Sequence, residues 1–365
     1  MFSILRPYIF SLDPEAAHDL AIKSLKLNFI PEVFFNVPGE ELLEIDLFKK
    51  KFKNPIGLAA GFDKSAEVYN SLFKFGFGFI EVGTVTPKRQ LGNPKPRIFR
   101  LEKDKAMINR LGFNNHGAEI VSTRISQNKP NGILGINIGP NKDTKKKDDD
   151  FISCLSQLYK HADYITINIS SPNTEGLRDF HKKSSMNQLL ENLTKLKKEK
   201  KINKPLIIKI SPDIQDNEIS NIVELIFKFK IDGIVISNTS DNNRGKLIDT
   251  KKNETGGLSG QPIKDLSTKM IKKFYKEINK KIPIIGVGGV DSGASAFEKI
   301  IAGASAVQLY TGMIYKGPGI VKEIKKDLIS TLKKEKIKRI SEAIGINAWP
   351  CGKQDLYHIQ KLFYV

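Results

Sequence analysis

The chain has 365 residues, 40% of them hydrophobic, and its 59 Lys and Arg against 40 Asp and Glu give a formal net charge of +19. This length accommodates one α/β barrel of roughly 250 residues with extensions, or two smaller domains. The two cysteines, Cys154 and Cys351, are far apart in sequence and form no C-x-x-C pair, so neither a zinc site nor a disulfide framework is indicated and no bound metal is expected.

The N-terminal segment, residues 1–46, precedes the first predicted strand and is predicted to form short helices. Asp13 is placed to cap a helix whose first position is Pro14. Charged residues follow the first apolar residues too soon for a signal peptide, and no stretch approaches the ~20 apolar residues that a membrane span needs. We therefore expect a small helical extension.

Eight short, nearly continuous apolar runs alternate with segments of helical periodicity. Such runs are typical of strands covered on both faces, and the spacing of Ile219, Ile222, Val223 and Ile226 indicates one of the intervening helices. The alternation predicts an α/β fold of the (β/α)8 TIM-barrel type over a doubly wound sheet, because residues 57–61 do not supply a Gly-rich fingerprint. The predicted strands are residues 55–60, 79–85, 132–137, 164–170, 206–211, 233–238, 282–288 and 306–310.

A lysine-rich helix is predicted after Ile320, and a tail follows it. The tail contains the single tryptophan, Trp349, and ends in Leu362-Phe363-Tyr364-Val365. The predicted organisation is therefore an N-terminal extension (1–46), a barrel (47–345) and a tail of unknown role (346–365).

Polar and small residues cluster where the predicted strands end. In a barrel, the carboxyl ends of the strands and the loops after them carry the chemistry. Taken singly, each residue has a structural explanation, such as an Asn that caps a turn, a Lys that snorkels outward or a Gly that permits a tight turn. Because seven strand ends carry Asn, Lys, Ser, Thr or Gly, we expect them to converge on one site.

Two features of these strand ends suit a flavin. The glycine-rich ends of the last two predicted strands suit a phosphate, because backbone N–H groups there can converge on an anion. Side-chain amides of Asn137 and Asn168 suit a ring edge with donors and acceptors, and Lys209 would place a cation beside such a ring. FMN has this combination of phosphate and ring, whereas a nicotinamide dinucleotide fits less well because its fingerprint is missing. The phosphate-side residues are Gly288, Gly289, Tyr310, Thr311 and Gly312.

The motifs at these residues resemble those of the dihydroorotate dehydrogenase family. The resemblance extends from the N-terminal helices to about residue 345. The most specific motif is Asn168-Ile169-Ser170-Ser171-Pro172-Asn173-Thr174. The family oxidises dihydroorotate to orotate with FMN, in the redox step of pyrimidine synthesis. Further motifs occupy residues 60–64, 109–115, 176–178, 255–260 and 285–289.

The resemblance implies a set of site residues. Ser171 is the implied base, with its proton relayed through Thr174 and a water under a lid at residues 173–180. Ser237 stands where the family pattern leads us to expect Thr, a change that keeps the hydroxyl. The implied FMN contacts are Ala60, Gly61, Phe62, Asp63, Lys64, Thr84, Asn137, Asn168, Lys209, Ser237, Gly260, Gly289, Tyr310 and Thr311. The implied substrate contacts are Lys64, Asn109, Arg110, Leu111, Gly112, Phe113, Asn168, Asn173, Asn238 and Thr239.

The subtype implied is the quinone-linked, class 2 enzyme. Soluble relatives place Cys where Ser171 stands and lack the N-terminal extension. The quinone-linked class lays its N-terminal helices on the bilayer, and His18 and Arg100 match positions along the quinone path. We expect a bacterial monomer attached peripherally, through anionic lipid, to the cytoplasmic face of the inner membrane.

The charge and the barrel each have alternative interpretations. The lysine excess fits solvated helix faces best, as at residues 195–201 and 333–338, a membrane surface second and nucleic acid last. A tRNA-dihydrouridine synthase, another FMN barrel, would need a Cys as its acid and an extra RNA-binding domain. This chain offers neither at the right place, so no nucleic acid partner is expected. A non-catalytic barrel that acts as a scaffold would leave Ser171 and Lys209 without a role. The nearest alternative is a dihydroorotate dehydrogenase that uses a soluble electron acceptor.

Overall fold

The structure, a computed structural model, describes residues 2–349. Thirteen strands occur in this range: β1 (Ile45–Leu47), β2 (Lys50–Phe52), β3 (Ile56–Leu58), β4 (Phe79–Val85), β5 (Ile98–Leu101), β6 (Ala106–Asn109), β7 (Ile133–Ile138), β8 (Tyr164–Asn168), β9 (Leu206–Ile210), β10 (Gly233–Ile236), β11 (Gly257–Gly260), β12 (Ile284–Val287) and β13 (Ala306–Leu309).

Eleven α-helices accompany the strands within the same described range. They are α1 (Phe2–Ser11), α2 (Pro14–Lys26), α3 (Tyr69–Phe73), α4 (Ala118–Gln127), α5 (Lys147–Leu158), α6 (Lys183–Glu199), α7 (Asp216–Lys228), α8 (Lys264–Ile278), α9 (Gly293–Ile301), α10 (Thr311–Lys316) and α11 (Ile320–Lys334). Short 3-10 helices span Glu32–Phe35, Glu40–Leu43, Tyr159–His161, Leu177–His181, Thr250–Asn253, Gln261–Ile263 and Ile340–Ala343.

Eight parallel strands close into a barrel in chain order, β3-β4-β7-β8-β9-β10-β12-β13, and β13 pairs back to β3. The predicted (β/α)8 barrel is confirmed, and the doubly wound alternative is wrong because the sheet has no open edge. All eight predicted runs correspond to barrel strands, with ends that differ by at most two residues. The strands are almost wholly buried, as continuous apolar runs require.

The surrounding helices bury one face each. In α7, Ile219, Ile222, Val223 and Ile226 are buried against the barrel, while Phe227 is 36% exposed at the edge of that face. The run of lysines at residues 195–201 lies at the end of α6, with Lys195, Lys198 and Lys200 exposed. These lysines lie on the exposed side of α6, as the solvated-face interpretation expects.

Sheets outside the barrel were not predicted. β5, β6 and β11 form an antiparallel sheet, and β1 pairs with β2 in a hairpin. Within the glycine-rich motif at residues 255–260, the last four residues form β11, whose Gly260 pairs with Ala106 of β6. Such pairing between distant segments has no local signal in the sequence.

The N-terminal segment forms short helices, as predicted, and the first two are the α-helices α1 and α2. Asp13 Oδ1 accepts hydrogen bonds from Glu15 N at 2.9 Å and Ala16 N at 3.0 Å, which caps α2, and Pro14 takes its first position. α1 contains no buried residue, so it lies on the surface of the protein. Among residues 2–349, none of the helices has the length and apolarity to cross a bilayer.

The chain after α11 returns to the barrel. Asn347 N donates to Ile301 O at 2.8 Å, and Ala348 is fully buried, so the start of the tail packs against α9. Trp349 is 44% exposed. Cys351 and the terminal Leu362-Phe363-Tyr364-Val365 lie outside the described residues.

Candidate active site

Two adjoining cavities lie at the carboxyl ends of the barrel strands. The larger has a volume of about 300 Å³ and the smaller about 110 Å³. They are compartments of one site because they share five lining residues, Ala60, Lys209, Asn238, Thr239 and Tyr310. The polar strand ends thus meet at one mouth of the barrel, as expected.

Glycine main chain forms part of the wall of the larger compartment. A Cβ on Gly289 would lie 2.5 Å from Lys264 Cβ, and a Cβ on Gly312 would lie 2.4 Å from Val290 O. These distances are too short for any side chain, so both positions require glycine, and both glycines line the compartment. The same compartment is lined by Ser237, Gly260, Gly288 and Thr311.

A chain of hydrogen bonds connects the polar side chains of neighbouring strands. Asn137 Oδ1 accepts from Thr84 Oγ1 at 2.7 Å and from Asn168 Nδ2 at 3.1 Å. Asn168 Oδ1 accepts from Ser170 Oγ at 2.7 Å, and Asn238 Nδ2 donates to that Ser170 oxygen at 2.8 Å. Asn168 and Asn238 also line the smaller compartment, so these positioned amides border the space for a ligand.

Glu81 accepts hydrogen bonds from this network inside the barrel, and the sequence analysis did not predict a role for it. Its carboxylate is fully buried and accepts from Asn137 Nδ2 at 2.8 Å, Thr166 Oγ1 at 3.0 Å and Gln308 Nε2 at 3.1 Å. Burial lowers the pKa of Lys209, and the Glu81 carboxylate opposes that shift. The available signal was an acidic residue within the otherwise apolar run Phe79-Ile80-Glu81-Val82.

The smaller compartment holds Ser171, which is buried. Ser171 Oγ accepts a hydrogen bond from Asn173 N at 3.2 Å, and Asn173 Nδ2 donates to Asn109 O at 3.0 Å. Burial lowers the pKa of Lys64 to about 8, although Glu15 opposes the shift. The other predicted residues on this wall are Gly61, Thr84, Leu111, Gly112 and Phe113.

Four predicted contacts do not line either compartment, and one of them, Asn137, is fully buried with its side chain in the hydrogen-bond network described above. Asp63 is buried, and its carboxylate accepts the main-chain N–H groups of Glu67 and Val68, which fixes the turn after β3. The side chain of Arg110 forms an ion pair with Glu254 at 2.8 Å. Phe62 lines cavities on the side of the N-terminal helices instead.

The segment predicted as a lid is packed onto the barrel. Gly176 has φ +66° and precedes the 3-10 helix Leu177–His181. Leu177 is fully buried, and the Phe180 ring meets the Phe151 ring edge-on at 5.8 Å. Thr174, the predicted relay residue, is also buried.

A mainly apolar cavity of about 330 Å³ lies between the N-terminal helices and the barrel. Its lining includes both residues predicted for the quinone path, His18 and Arg100, and also Tyr310. The His18 ring packs edge-on against Phe62 at 5.1 Å, and Phe62 packs against Tyr310 at 6.1 Å. Burial and the neighbouring Lys64 lower the pKa of His18 to about 3, so its ring is neutral near pH 7.

Solved structures with similar folds point to the same family. The crystal structure of DHODH from Eimeria tenella in complex with ferulenol matches with a TM-score of 0.87 and 38% identity, over 93% of this chain and 96% of that one. The ligand-free enzyme of that organism matches with the same score and identity, over 93% of this chain and 100% of that one.

Sequence comparisons agree with the structural ones. The chain is similar to a dihydroorotate dehydrogenase (quinone) of Bartonella tribocorum, with 45% identity over 92% of this chain and 94% of that protein. A dihydroorotate dehydrogenase (quinone) of Idiomarina loihiensis is 45% identical over 89% of this chain and 99% of that protein. The family model for dihydroorotate dehydrogenase matches residues 42–332. The chain therefore belongs to the dihydroorotate dehydrogenase family.

Proposed function

We propose that this chain is a quinone-linked dihydroorotate dehydrogenase that uses FMN to oxidise dihydroorotate to orotate in pyrimidine synthesis. The observation that carries the proposal is the position of Tyr310, which lines both compartments of the barrel mouth and the apolar cavity beneath the N-terminal helices. A cofactor beside Tyr310 would adjoin a polar substrate compartment and an apolar acceptor cavity. Two half-reactions can then use one cofactor without sharing a binding site.

The larger compartment fits FMN on its own chemistry. Its glycine wall suits a phosphate, and the positioned amides suit the edge of a flavin ring. Gln308 is fully buried and lines this cavity, and its Oε1 has no partner among the described residues, so an acceptor is left for a ligand donor. The residues we propose to hold FMN are Ala60, Gly61, Lys64, Thr84, Asn137, Asn168, Lys209, Ser237, Gly260, Gly289, Tyr310 and Thr311, with Phe62 and Asp63 in supporting positions.

The smaller compartment is the proposed substrate site. Lys64 offers a cation to the substrate carboxylate, and the amides of Asn109, Asn173 and Asn238 offer donors and acceptors to its ring edge. Leu111 and Phe113 close the apolar side of the compartment. We propose that Arg110 acts from behind this wall, because its ion pair with Glu254 ties β6 to the segment before β11.

The chemistry removes a proton from C5 of dihydroorotate and a hydride from C6. FMN, when bound, supplies the hydride acceptor. Ser171 Oγ passes its own proton to the relay through Thr174 and a water as it takes the C5 proton, and the N–H of Asn173 stabilises the partial negative charge that Oγ carries while its own proton leaves. Burial of Ser171 and Thr174 keeps bulk water away from the proton transfer.

The N-terminal helices are the proposed acceptor and membrane module. α1 has no buried residue, and Ile4, Tyr8 and Phe29 are 71%, 74% and 86% exposed, an unusual display of large apolar side chains. Their insertion at a lipid interface would attach a monomer to the cytoplasmic face of a bacterial inner membrane. Within this proposal residues 1–46 form the quinone-access unit, 47–345 the catalytic barrel and 346–365 a tail without an assigned role.

A half-reaction assay tests the proposal. Purified protein should contain one flavin per chain, which dihydroorotate reduces when oxygen is excluded. The reduced protein should then be re-oxidised rapidly by a short-chain quinone and slowly by fumarate or NAD. Preference for fumarate or NAD would overturn the quinone assignment, and failure of dihydroorotate to reduce bound FMN would overturn the activity.

A further inference from the structure

Arg178 makes more contacts between the catalytic loops than any role proposed above requires. It lies in the 3-10 helix Leu177–His181, in the same loop as Ser171. Its Nε donates to Ser170 O at 3.2 Å, and its Nη2 donates to Thr239 O at 3.2 Å. Both acceptors adjoin residues of the substrate compartment, Ser171 and Asn238. One guanidinium therefore ties the main chain beside the proposed base to the main chain beside a proposed substrate ligand.

Two carboxylates complete the coordination of the guanidinium. Nη1 donates to Asp241 Oδ1 at 2.8 Å, and Nη2 forms an ion pair with Asp213 Oδ2 at 3.2 Å. Asp213 follows β9, the strand of Lys209, whereas Asp241 follows β10. The contacts thus join the loops after β8, β9 and β10, three consecutive barrel strands.

The acceptors are themselves held in place. Asp213 is 8% exposed, and its carboxylate also accepts from Ser240 Oγ at 2.5 Å and from Asp241 N at 3.1 Å. Burial raises the pKa of Asp213, and the Arg178 guanidinium opposes that shift. Because a charge-assisted pair with a buried carboxylate is stronger than an exposed one, Asp213 is the stronger anchor and Asp241, 48% exposed, the weaker.

We propose that Arg178 is a positioning residue for catalysis, which latches the Ser171 loop to the loops after β9 and β10 and so holds the substrate compartment in its reactive shape. The idea rests on the function proposed above. A planar guanidinium has five donors in a fixed fork, so it can serve two carbonyls and two carboxylates at once. A lysine in its place keeps the charge but has one donor atom and cannot hold all four acceptors.

The test compares Arg178→Lys and Arg178→Ala with Asp179→Asn, a control on the same 3-10 helix. Asp179 is 57% exposed and its ion pair with Lys182 is local. In the Arg178 variants, flavin reduction by dihydroorotate should slow about tenfold or more, and the Kd for orotate should rise. Flavin content and re-oxidation by a short-chain quinone should not change. Added guanidinium ion at millimolar concentration should restore part of the rate in Arg178→Ala.

Two outcomes would contradict the proposed positioning role of Arg178. One is reduction of the Arg178→Lys flavin at the parent rate with unchanged orotate affinity. The other is an equal loss in both half-reactions and in flavin content, since that would make Arg178 a residue of general stability.

Limited proteolysis separates failure of the latch from failure of the proposed function. The latch predicts faster cleavage within residues 173–183 in the Arg178 variants than in the parent or Asp179→Asn, whatever the substrate is. Equal cleavage in all four proteins would contradict the latch. Cleavage as expected, together with a flavin that dihydroorotate does not reduce in the parent, would contradict the proposed substrate instead.

Discussion

At Ser171, catalysis depends on making a hydroxyl basic in a buried compartment. Replacement by Ala removes the proton acceptor but leaves the amides that hold the ring, so flavin reduction by dihydroorotate should fall by about 10²- to 10⁴-fold. Orotate affinity should change little, because Asn109, Asn173 and Asn238 remain. Anaerobic stopped-flow absorbance measures the first quantity, and titration of the flavin spectrum with orotate measures the second.

A second substitution checks the same assignment by chemistry. Ser171→Cys should keep part of the activity, and its rate should rise with pH, because a free thiol ionises near pH ~8.5. Flavin reduction by Ser171→Ala at the parent rate would show that another group is the base.

Lys64 gives the substrate site a predictable pH response. Burial lowers its pKa to about 8, so the ammonium loses its proton as the pH rises through that value. The attraction for the substrate carboxylate is then lost, and kcat/KM for dihydroorotate should decline above about pH 8. In Lys64→Met, kcat/KM should be low at every pH and this decline should be absent. A decline that persists in the variant would assign it to a different group.

Site residues differ in how far sequence could identify them. Asn168, Ser171 and Lys209 stand at strand ends, and the barrel geometry brings such ends together, so their convergence was predictable. Glu81 and Arg178 were not assigned roles, because their partners come from several other strands and loops. Asp63 and Arg110, which the resemblance implies as contacts, do not line the two compartments, because motif membership does not reveal the direction of a side chain.

Among the secondary-structure elements, the packing of the first two helices is linked most clearly to one step of the reaction, re-oxidation by quinone. Arg100 is 6% exposed, and its Nη1 donates to Phe10 O at 3.1 Å and Leu12 O at 3.0 Å, which fixes the end of α1. Arg100→Ala should release that end and disturb the apolar cavity, whereas the substrate compartment is lined by other residues. Re-oxidation by quinone should therefore slow about tenfold while flavin reduction stays within about twofold of the parent.

Lys103→Ala provides a control for Arg100→Ala, because Lys103 is exposed in the turn between β5 and β6. The relevant measurement is the rate of each half-reaction, determined separately in both variants. Equal slowing of flavin reduction and re-oxidation in Arg100→Ala would contradict a role confined to the acceptor side.

Elements were predictable where their signal is local. Every barrel strand was found because its apolar run is bounded by turn residues, and α2 was found from Asp13 and Pro14. The sheet of β5, β6 and β11 was missed, although its strands are as long as barrel strands β10, β12 and β13, because it lies outside the alternation of strands and helices. Its pairing also joins residues about 150 positions apart, as in the contact of Gly257 with Asn109.

For the whole molecule, the large positive charge is carried mainly by solvated lysines. Lys333, Lys334, Lys336 and Lys338 are all exposed, as the pattern at residues 333–338 predicted. Outside the candidate site, two buried lysines depart from this rule. Lys325 is 1% exposed and forms an ion pair with Glu40 at 2.9 Å, whereas Lys299 is fully buried and donates to Lys264 O at 3.2 Å and Thr268 Oγ1 at 2.9 Å.

The burial of Lys299 should make global stability depend on pH. Burial lowers its pKa from the ordinary 10.5 to about 7, so between these values the unfolded chain binds more protons than the folded chain. The free energy of unfolding therefore increases as the pH rises from about 7 to 10.5. Below about pH 7, the folded protein bears the full cost of burying the Lys299 charge. Lys299→Met removes the penalty and fills the same volume.

Lys299→Met should thus raise the free energy of unfolding, and by about 2 to 3 kcal/mol more at pH 6 than at pH 9. Lys325→Met is the matched control: it removes the buried partner of the ion pair with Glu40, whose side chain is 24% exposed, so it should destabilise the protein. Chemical denaturation at the two pH values measures both effects. A Lys299→Met variant that is less stable than the parent at pH 6 would show that the hydrogen bonds to Lys264 and Thr268 outweigh the cost of burying the charge.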